Sequence, residues 1–134
     1  MKILALDTSA LVASAAITEN GKVLAEYTLN YKLTHSQTIM PMIDEIVKMT
    51  ETDLNTIDYI ACSSGPGSFT GLRIGAATAK GLAHGLNKPI VAVPTLEALA
   101  YNIFGTDKFI CPIMDARRKQ VYNAVYVPEG KKLD

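Results

Sequence analysis

Residues 65–75 read GPGSFTGLRIG, four glycines and a proline in eleven positions, directly after the apolar run IDYIACSS. A glycine-rich link from a strand to a helix N-terminus can cradle phosphate, because the first helical N–H groups are free and point at the ligand. The phosphate motifs fit poorly. A P-loop needs GxxxxGK followed by Ser or Thr, and no lysine stands at that spacing; Arg73 is the nearest cation. The dinucleotide pattern GxGxxG matches at Gly65 and Gly67, but its third position is Thr70 and Gly71 comes one residue late. Two readings stand. In one, Gly67, Ser68 and Arg73 contact an anion. In the other, which is preferred, Gly65 or Gly67 adopts positive φ in a tight turn and Ser68 or Thr70 caps the helix.

Other residues with chemical potential are scattered. His35 and His84 fall on different predicted helices near their ends, which argues against a shared metal. Ser9, Ser63, Ser64 and Ser68 have no histidine placed by motif to activate them, so no catalytic residue is assigned. Cys62 and Cys111 lie in apolar runs without CxxC spacing and read as buried reduced thiols. The formal net charge is zero, so no global field draws the chain to nucleic acid. Cations do gather locally, at Arg117, Arg118 and Lys119 and again at Lys131 and Lys132.

The elements that must position these residues follow from periodicity. The 134 residues suffice for one domain with a real core; 49% are hydrophobic and only 19% charged. KILALDTS is a buried strand, while LVASAAIT and KVLAEYTLN flank ENGK, whose Asn20-Gly21 is a strong hairpin signal. THSQTIMPMIDEIVKM turns helical, capped by Thr34 or Ser36, with Pro41 assigned to the tolerant first turn. IDYIACSS and PIVAVP are continuous buried strands, with a small-residue helix from Thr70 to Leu86 between them. TLEALAYNIF is a third helix with Thr95 as cap, and FICPIMDA and QVYNAVYV close as strands. The predicted order is β-β-β-α-β-α-β-α-β-β: an α/β fold, one mixed sheet with helices on its faces.

Two features ask for cover. Gly71, Gly75, Ala79 and Ala83 recur every fourth residue, and Ala77, Gly81 and Gly85 form a second row. Glycine inside a helix costs about 1 kcal/mol relative to alanine, so close approach of other backbone must offset it. One row is expected to meet the chain's own sheet and the other a partner; the stricter row, Gly71, Gly75 and Ala79, is assigned to the partner. On the first helix, Met40, Ile43, Val47 and their apolar neighbours span about half the circumference, wider than a one-sided surface helix requires. Methionine suits adaptable contacts.

ILALDTS, HSQTIMPMIDEI, GPGSFTGLRIGAATAKGLA, VPTLEALA and MDARRKQVY together resemble the TsaB (YeaZ) family, from Met1 to about Val127. The resemblance implies an actin-like, sugar-kinase-like (ribonuclease H-like) fold. It implies an inactive paralogue of TsaD, the enzyme that transfers a threonylcarbamoyl group to tRNA adenosine beside the anticodon, in a superfamily also called glycoproteases or M22 peptidases. TsaD-like enzymes carry a metal-binding HxxxH on the helix matching TLEALAYN; here Thr95 and Leu99 stand at those positions, and no metal is expected. Asp7, Thr8 and Ser9 match the first phosphate-facing loop of actin-like folds and are the cofactor-binding candidates. For Asp7 the preferred reading is a strand-end carboxylate bonding its own loop.

The family usually runs about a lobe longer, so residues 1–134 are expected to form a single N-terminal lobe, with the second lobe absent or truncated. A lone lobe is expected to hold no cofactor tightly, with ATP bound only in the assembled complex. The expected role is a non-catalytic cytoplasmic subunit that binds TsaD-like and TsaE-like proteins, forms a homodimer when alone, meets tRNA indirectly and touches no membrane. The competing reading is an enzyme, a peptidase or a nucleotide hydrolase.

Overall fold

In the computed structural model the described residues are 1–103, 105–129 and 132–133. Lys131, one of the cations noted above, and Phe104, at the end of the third predicted helix, lie outside them.

The first three strands are β1 (Lys2–Asp7), β2 (Ala13–Glu19) and β3 (Lys22–Leu29), followed by helix α1 (His35–Met49), a 3₁₀ turn at Leu54–Thr56 and strand β4 (Tyr59–Gly65). Helix α2 (Phe69–Leu86), strand β5 (Ile90–Pro94) and helix α3 (Thr95–Ala100) complete the main layer. Five strands form one sheet in the order β3-β2-β1-β4-β5. β1, β2 and β3 pair antiparallel as consecutive hairpin strands, whereas β4 and β5 add in parallel because helices carry the chain back between them.

Alternation decides the layers. Leu4 and Leu6 of β1, Ala15 and Ile17 of β2, and Ile60 and Cys62 of β4 point to one face. There they meet Ile39, Ile43 and Ile46 of α1 and Ala79 and Ala83 of α2 in a single core cluster. α1 packs across β2 and β3, and α2 across β4 with β1 and β5 beside it. The opposite sheet face carries Ala5, Asp7, Ser14, Ala16, Ala61 and Ser63, with Ile3 and Tyr59 at one end and α3 at its border. α1 begins at Thr34, where the Gln37 side chain accepts the Thr34 N–H at 3.3 Å. Pro41 sits in the helix interior rather than the first turn, so its missing N–H falls where the i−4 ladder would need one. α3 is shorter than its apolar pattern suggested. Its cap position is Pro94, and Thr95 lies inside the helix with its hydroxyl buried and without a hydrogen-bond partner among the described residues.

The closing strands do not join the main sheet. β6 (Ile113–Arg117) and β7 (Gln120–Asn123) form their own antiparallel ribbon, extended by a bridge between Ile110 and Tyr126, and β8 (Pro128–Glu129) pairs with β9 (Lys132–Leu133). The last main-sheet strand, β5, is followed by α3 and a loop that lead away from its edge. The same departure corrects the reading of the thiols. Cys62 is buried in β4, but Cys111 lies in the connection before β6 and is exposed.

The two hairpins solve one geometric problem differently. Glu19 pairs with Lys22 and Arg117 with Gln120, so each loop has two residues. Both residues of each loop have positive φ: Asn20 at 51° and Gly21 at 80°, Arg118 at 52° and Lys119 at 60°. That is type I′ geometry, for which Asn-Gly is the low-cost choice. The second loop uses Arg-Lys, and Arg117 before it is also positive at 63°. A non-glycine residue held there costs about 1–3 kcal/mol.

The α2 rows differ in what an added methyl group would meet. At Gly71 it would strike the Thr8 carbonyl and at Gly75 the Thr8 hydroxyl, both closer than side-chain carbons come; at Gly81 there is open space within 4 Å. Overpacking of this kind costs about 1–3 kcal/mol, against a propensity gain of at most about 1 kcal/mol. Gly71→Ala and Gly75→Leu are therefore expected to lower the melting temperature by several degrees and Gly81→Ala to hold or raise it. Thermal denaturation followed by circular dichroism checks this; equal melting of Gly71→Ala and Gly81→Ala would show that the first row is not in contact. The thiols give a second check. Burial pushes the Cys62 thiol above its ordinary pKa, which reduces its reactive thiolate. Alkylation of the native chain is expected to modify Cys111 first and Cys62 only on unfolding, as peptide mapping would read.

Candidate functional site

The C-terminal ends of β1 and β4 are adjacent parallel strand ends, and the loop of residues 8–12 meets the glycine loop of residues 65–68 there. Asp7 Oδ1 accepts the Ser9 N–H at 2.8 Å and the Ser63 hydroxyl at 2.8 Å. The carboxylate thus clamps its own loop and ties β1 to β4. Thr8 is fully buried and donates its hydroxyl to the Gly71 carbonyl at 2.7 Å. Ser9 is 2% exposed, and its carbonyl accepts the Ser68 N–H at 2.7 Å. Of the three cofactor candidates, Thr8 and Ser9 are committed to the chain's own packing, while Asp7 is half-buried at the rim.

The glycine loop is built around the same contact. Gly65 carries the positive φ, at 111°, and the Gly65–Pro66 peptide is cis. Gly67 approaches Ser9 so closely that a Cβ would sit 2.5 Å from its carbonyl oxygen. Ser68 caps α2, its hydroxyl accepting the Gly71 N–H at 3.2 Å while its carbonyl accepts the Leu72 N–H at 2.8 Å. These N–H groups face the chain's own oxygens rather than an outside anion. The Arg73 guanidinium lies 5.0 Å from the centre of the Phe69 ring, one helical turn away, and the pair stands on the exposed side of α2. Gly67, Ser68 and Arg73 therefore do not converge: two belong to the turn and the third to an outer helix face.

The partner surface assigned from sequence needs correction. Gly71, Gly75 and Ala79 are buried against the sheet side, where the Thr8 backbone requires them small. Ile43 is 3% exposed and belongs to the core, with Val47 packed against it. Met40 remains outward, 47% exposed. The outer row of α2 is instead Ala77, Gly81 and Gly85, all exposed, with open space around both glycines. Sequence had found this row; what it could not supply was which row the sheet takes. Phe69 and Leu11, 74% and 84% exposed, had not been singled out; a large apolar side chain in a polar loop was the available signal.

His35 ties α1 to the first loop, with Nε2 2.6 Å from the Ala10 carbonyl. Among the described residues no three His, Cys, Asp or Glu side chains are grouped as a metal would need. On the sheet face away from α1 and α2, a depression of about 290 Å³ is bordered by Ala5, Asp7, Ala16, Ser63 and Ala98 of α3.

Known proteins match this arrangement. A Bacillus subtilis protein named tRNA threonylcarbamoyladenosine biosynthesis protein TsaB is 42% identical over 126 residues, 94% of this chain and 55% of the relative. The chain belongs to the TsaB family. The Escherichia coli TsaB is 40% identical over 129 residues, with the same shares of the two chains. YeaZ from Pseudomonas aeruginosa superposes with a TM-score of 0.88 at 31% identity, covering 98% of this chain and 62% of that one. The α/β fold expected from the sequence, a mixed sheet packed with helices, is observed and is shared with this YeaZ structure. The family model described as TsaD, tRNA N6-adenosine threonylcarbamoyltransferase, matches residues 22–134. The chain spans little more than half the length of the curated TsaB relatives it matches.

The Asp7 clamp can be weighed directly. Asp7→Ala would leave the nearly buried Ser9 N–H without its acceptor, a loss of about 1–3 kcal/mol. Asp7→Asn keeps an oxygen in place and should lose about 1 kcal/mol or less. Chemical denaturation is expected to rank Ala well below Asn; an Ala variant as stable as the parent chain would remove the structural role of this carboxylate.

Proposed function

We propose that this chain is the binding lobe of a TsaB-type subunit that supports threonylcarbamoyl modification of tRNA without carrying out chemistry itself. The observation that carries the reading is the outer row of α2. Gly81 and Gly85 stand exposed in a helix, where each costs about 1 kcal/mol relative to alanine, and among the described residues nothing comes within 4 Å of a Cβ placed at either. A partner helix lying close along Ala77, Gly81 and Gly85 would offset that cost. Exposed Met40, Leu11 and Phe69 supply apolar surface of the kind such an interface uses. The partner is a TsaD-like protein, with a TsaE-like protein joining the assembly, and a second copy of the chain takes the same face when TsaD is absent. Nucleotide binds only in the assembled complex, and tRNA arrives through that complex. The setting is the cytoplasm; no helix among the described residues is long and apolar enough to cross a membrane.

Support for a non-catalytic role comes from the loop junction. The Thr8 and Ser68 hydroxyls are spent on the Gly71 backbone and the Ser9 carbonyl on the Ser68 N–H, and Thr95 and Leu99 occupy the HxxxH positions. Gly81→Arg and Met40→Asp place charge on exposed positions and should leave the fold intact. On a sizing column with a TsaD-like protein, with and without ATP, the parent chain is expected to co-elute, and each variant to lose association at least about tenfold, roughly 1.4 kcal/mol. Undiminished co-elution of both variants would move the interface elsewhere, and ATP hydrolysis or proteolysis by the purified chain would restore the enzymatic reading.

A further inference from the structure

The tip of the β6–β7 ribbon has a composition that its geometry does not favour. Its two-residue loop has the same positive-φ backbone as the β2–β3 loop, where the chain uses Asn20-Gly21. At the tip it uses Arg118-Lys119, preceded by Arg117, also at positive φ. Three consecutive cations are held in a conformation that disfavours all three residue types. Strained backbone of this kind persists where the side chains displayed are needed.

The surroundings favour display. Arg117, Arg118, Lys119 and Gln120 are all exposed. The one carboxylate in the turn, Asp115, is turned inward on the backbone: its Oδ1 accepts the Arg117 N–H at 2.7 Å, across the irregular register between Asp115 and Arg117. Among the described residues the only ion pairs are Lys2–Glu19 and Lys48–Asp44, and neither involves a tip cation. Tyr122, which pairs with Met114 on the same ribbon, is 43% exposed. With zero net charge overall, this local concentration is what an anionic partner would meet.

We infer that the β6–β7 tip is a direct contact for RNA phosphates, made by Arg117, Arg118 and Lys119. The choice of RNA over an acidic protein rests on the proposed role in tRNA modification. Guanidinium and ammonium groups on a narrow two-stranded ribbon can follow a phosphate backbone, positioning the RNA without reading its sequence. The contact adds affinity and orientation to a complex whose chemistry lies in another subunit.

The test uses the Arg118→Asn/Lys119→Gly double variant, which installs the residues that the first hairpin already uses. The fold should be undamaged, with a melting temperature equal to or above that of the parent chain. Arg118→Gln/Lys119→Gln, which keeps side-chain length, serves if the first variant folds poorly. Lys22→Gln/Lys32→Gln removes the same charge elsewhere. Each is measured for binding of an unmodified tRNA transcript by fluorescence anisotropy across a salt series, both alone and in complex with a TsaD-like protein. Loss of two phosphate contacts should reduce the slope of log K against log salt by about 1.4–1.8 and weaken binding at low salt about tenfold or more. The Lys22/Lys32 control should behave like the parent chain. Co-elution with the TsaD-like protein is followed on the same samples, so failure of the subunit reading is seen separately. Tip variants that assemble and bind the transcript with unchanged affinity and salt slope would overturn the inference. So would equal weakening by the control, or displacement of the transcript by polyglutamate at equal charge concentration.

Discussion

The packing of this lobe depends on one close approach: the backbone of Thr8, at the end of β1, against the first two turns of α2. The Thr8 hydroxyl donates to the Gly71 carbonyl, the Ser9 carbonyl accepts from Ser68, and the absence of Cβ atoms at Gly67, Gly71 and Gly75 makes room for both. A helix seated this near a strand end cannot rotate about its axis without losing these hydrogen bonds or meeting a backbone oxygen. The glycines that look like a phosphate cradle are therefore spent on contact within the chain. Asp7 completes the arrangement by holding both strand ends through Ser9 and Ser63.

Fixing the rotation of α2 also fixes what the lobe presents outside. With Gly71, Gly75, Ala79 and Ala83 turned inward, Phe69, Arg73, Ala77 and Gly81 are turned outward. The interior glycines are explained by the sheet; the exterior ones, Gly81 and Gly85, face open space. The same contact occupies the loop's polar groups: the Thr8 and Ser68 hydroxyls both bond Gly71, and the Ser9 carbonyl accepts the Ser68 N–H.

Beyond β5 the chain follows a different economy. The main sheet is closed on one face by a continuous apolar core, but β6 and β7 stand apart, with Ile113 60% and Val121 57% exposed and a tip of three cations. Little is buried there, so the ribbon owes its form to backbone pairing and its composition to what it displays. Two hairpins with the same loop geometry, one Asn-Gly and one Arg-Lys, show the contrast inside a single chain.

The sequence by itself determined the order of the elements through α3. Alternating apolar residues in β2, the continuous runs at β4 and β5, and Asn20-Gly21 are local signals of backbone conformation and were legible, as were the caps to within a choice of two residues. The run at β5, read as buried, is instead a largely exposed edge strand. Motif blocks also carried the family, because they record a shared history as well as a local preference. Only the tertiary structure decided which small-residue row lies inside. Gly71-Gly75-Ala79 and Ala77-Gly81-Gly85 have similar residues at the same spacing. Periodicity gives their relative directions but not where the sheet is. That was set by Thr8, 63 positions from Gly71 in the chain and bonded to it in space. Cys111 and the strands beyond it were misplaced for the same reason. An apolar run shows that a segment can be buried, but whether an edge is there to receive it depends on the path of the whole chain.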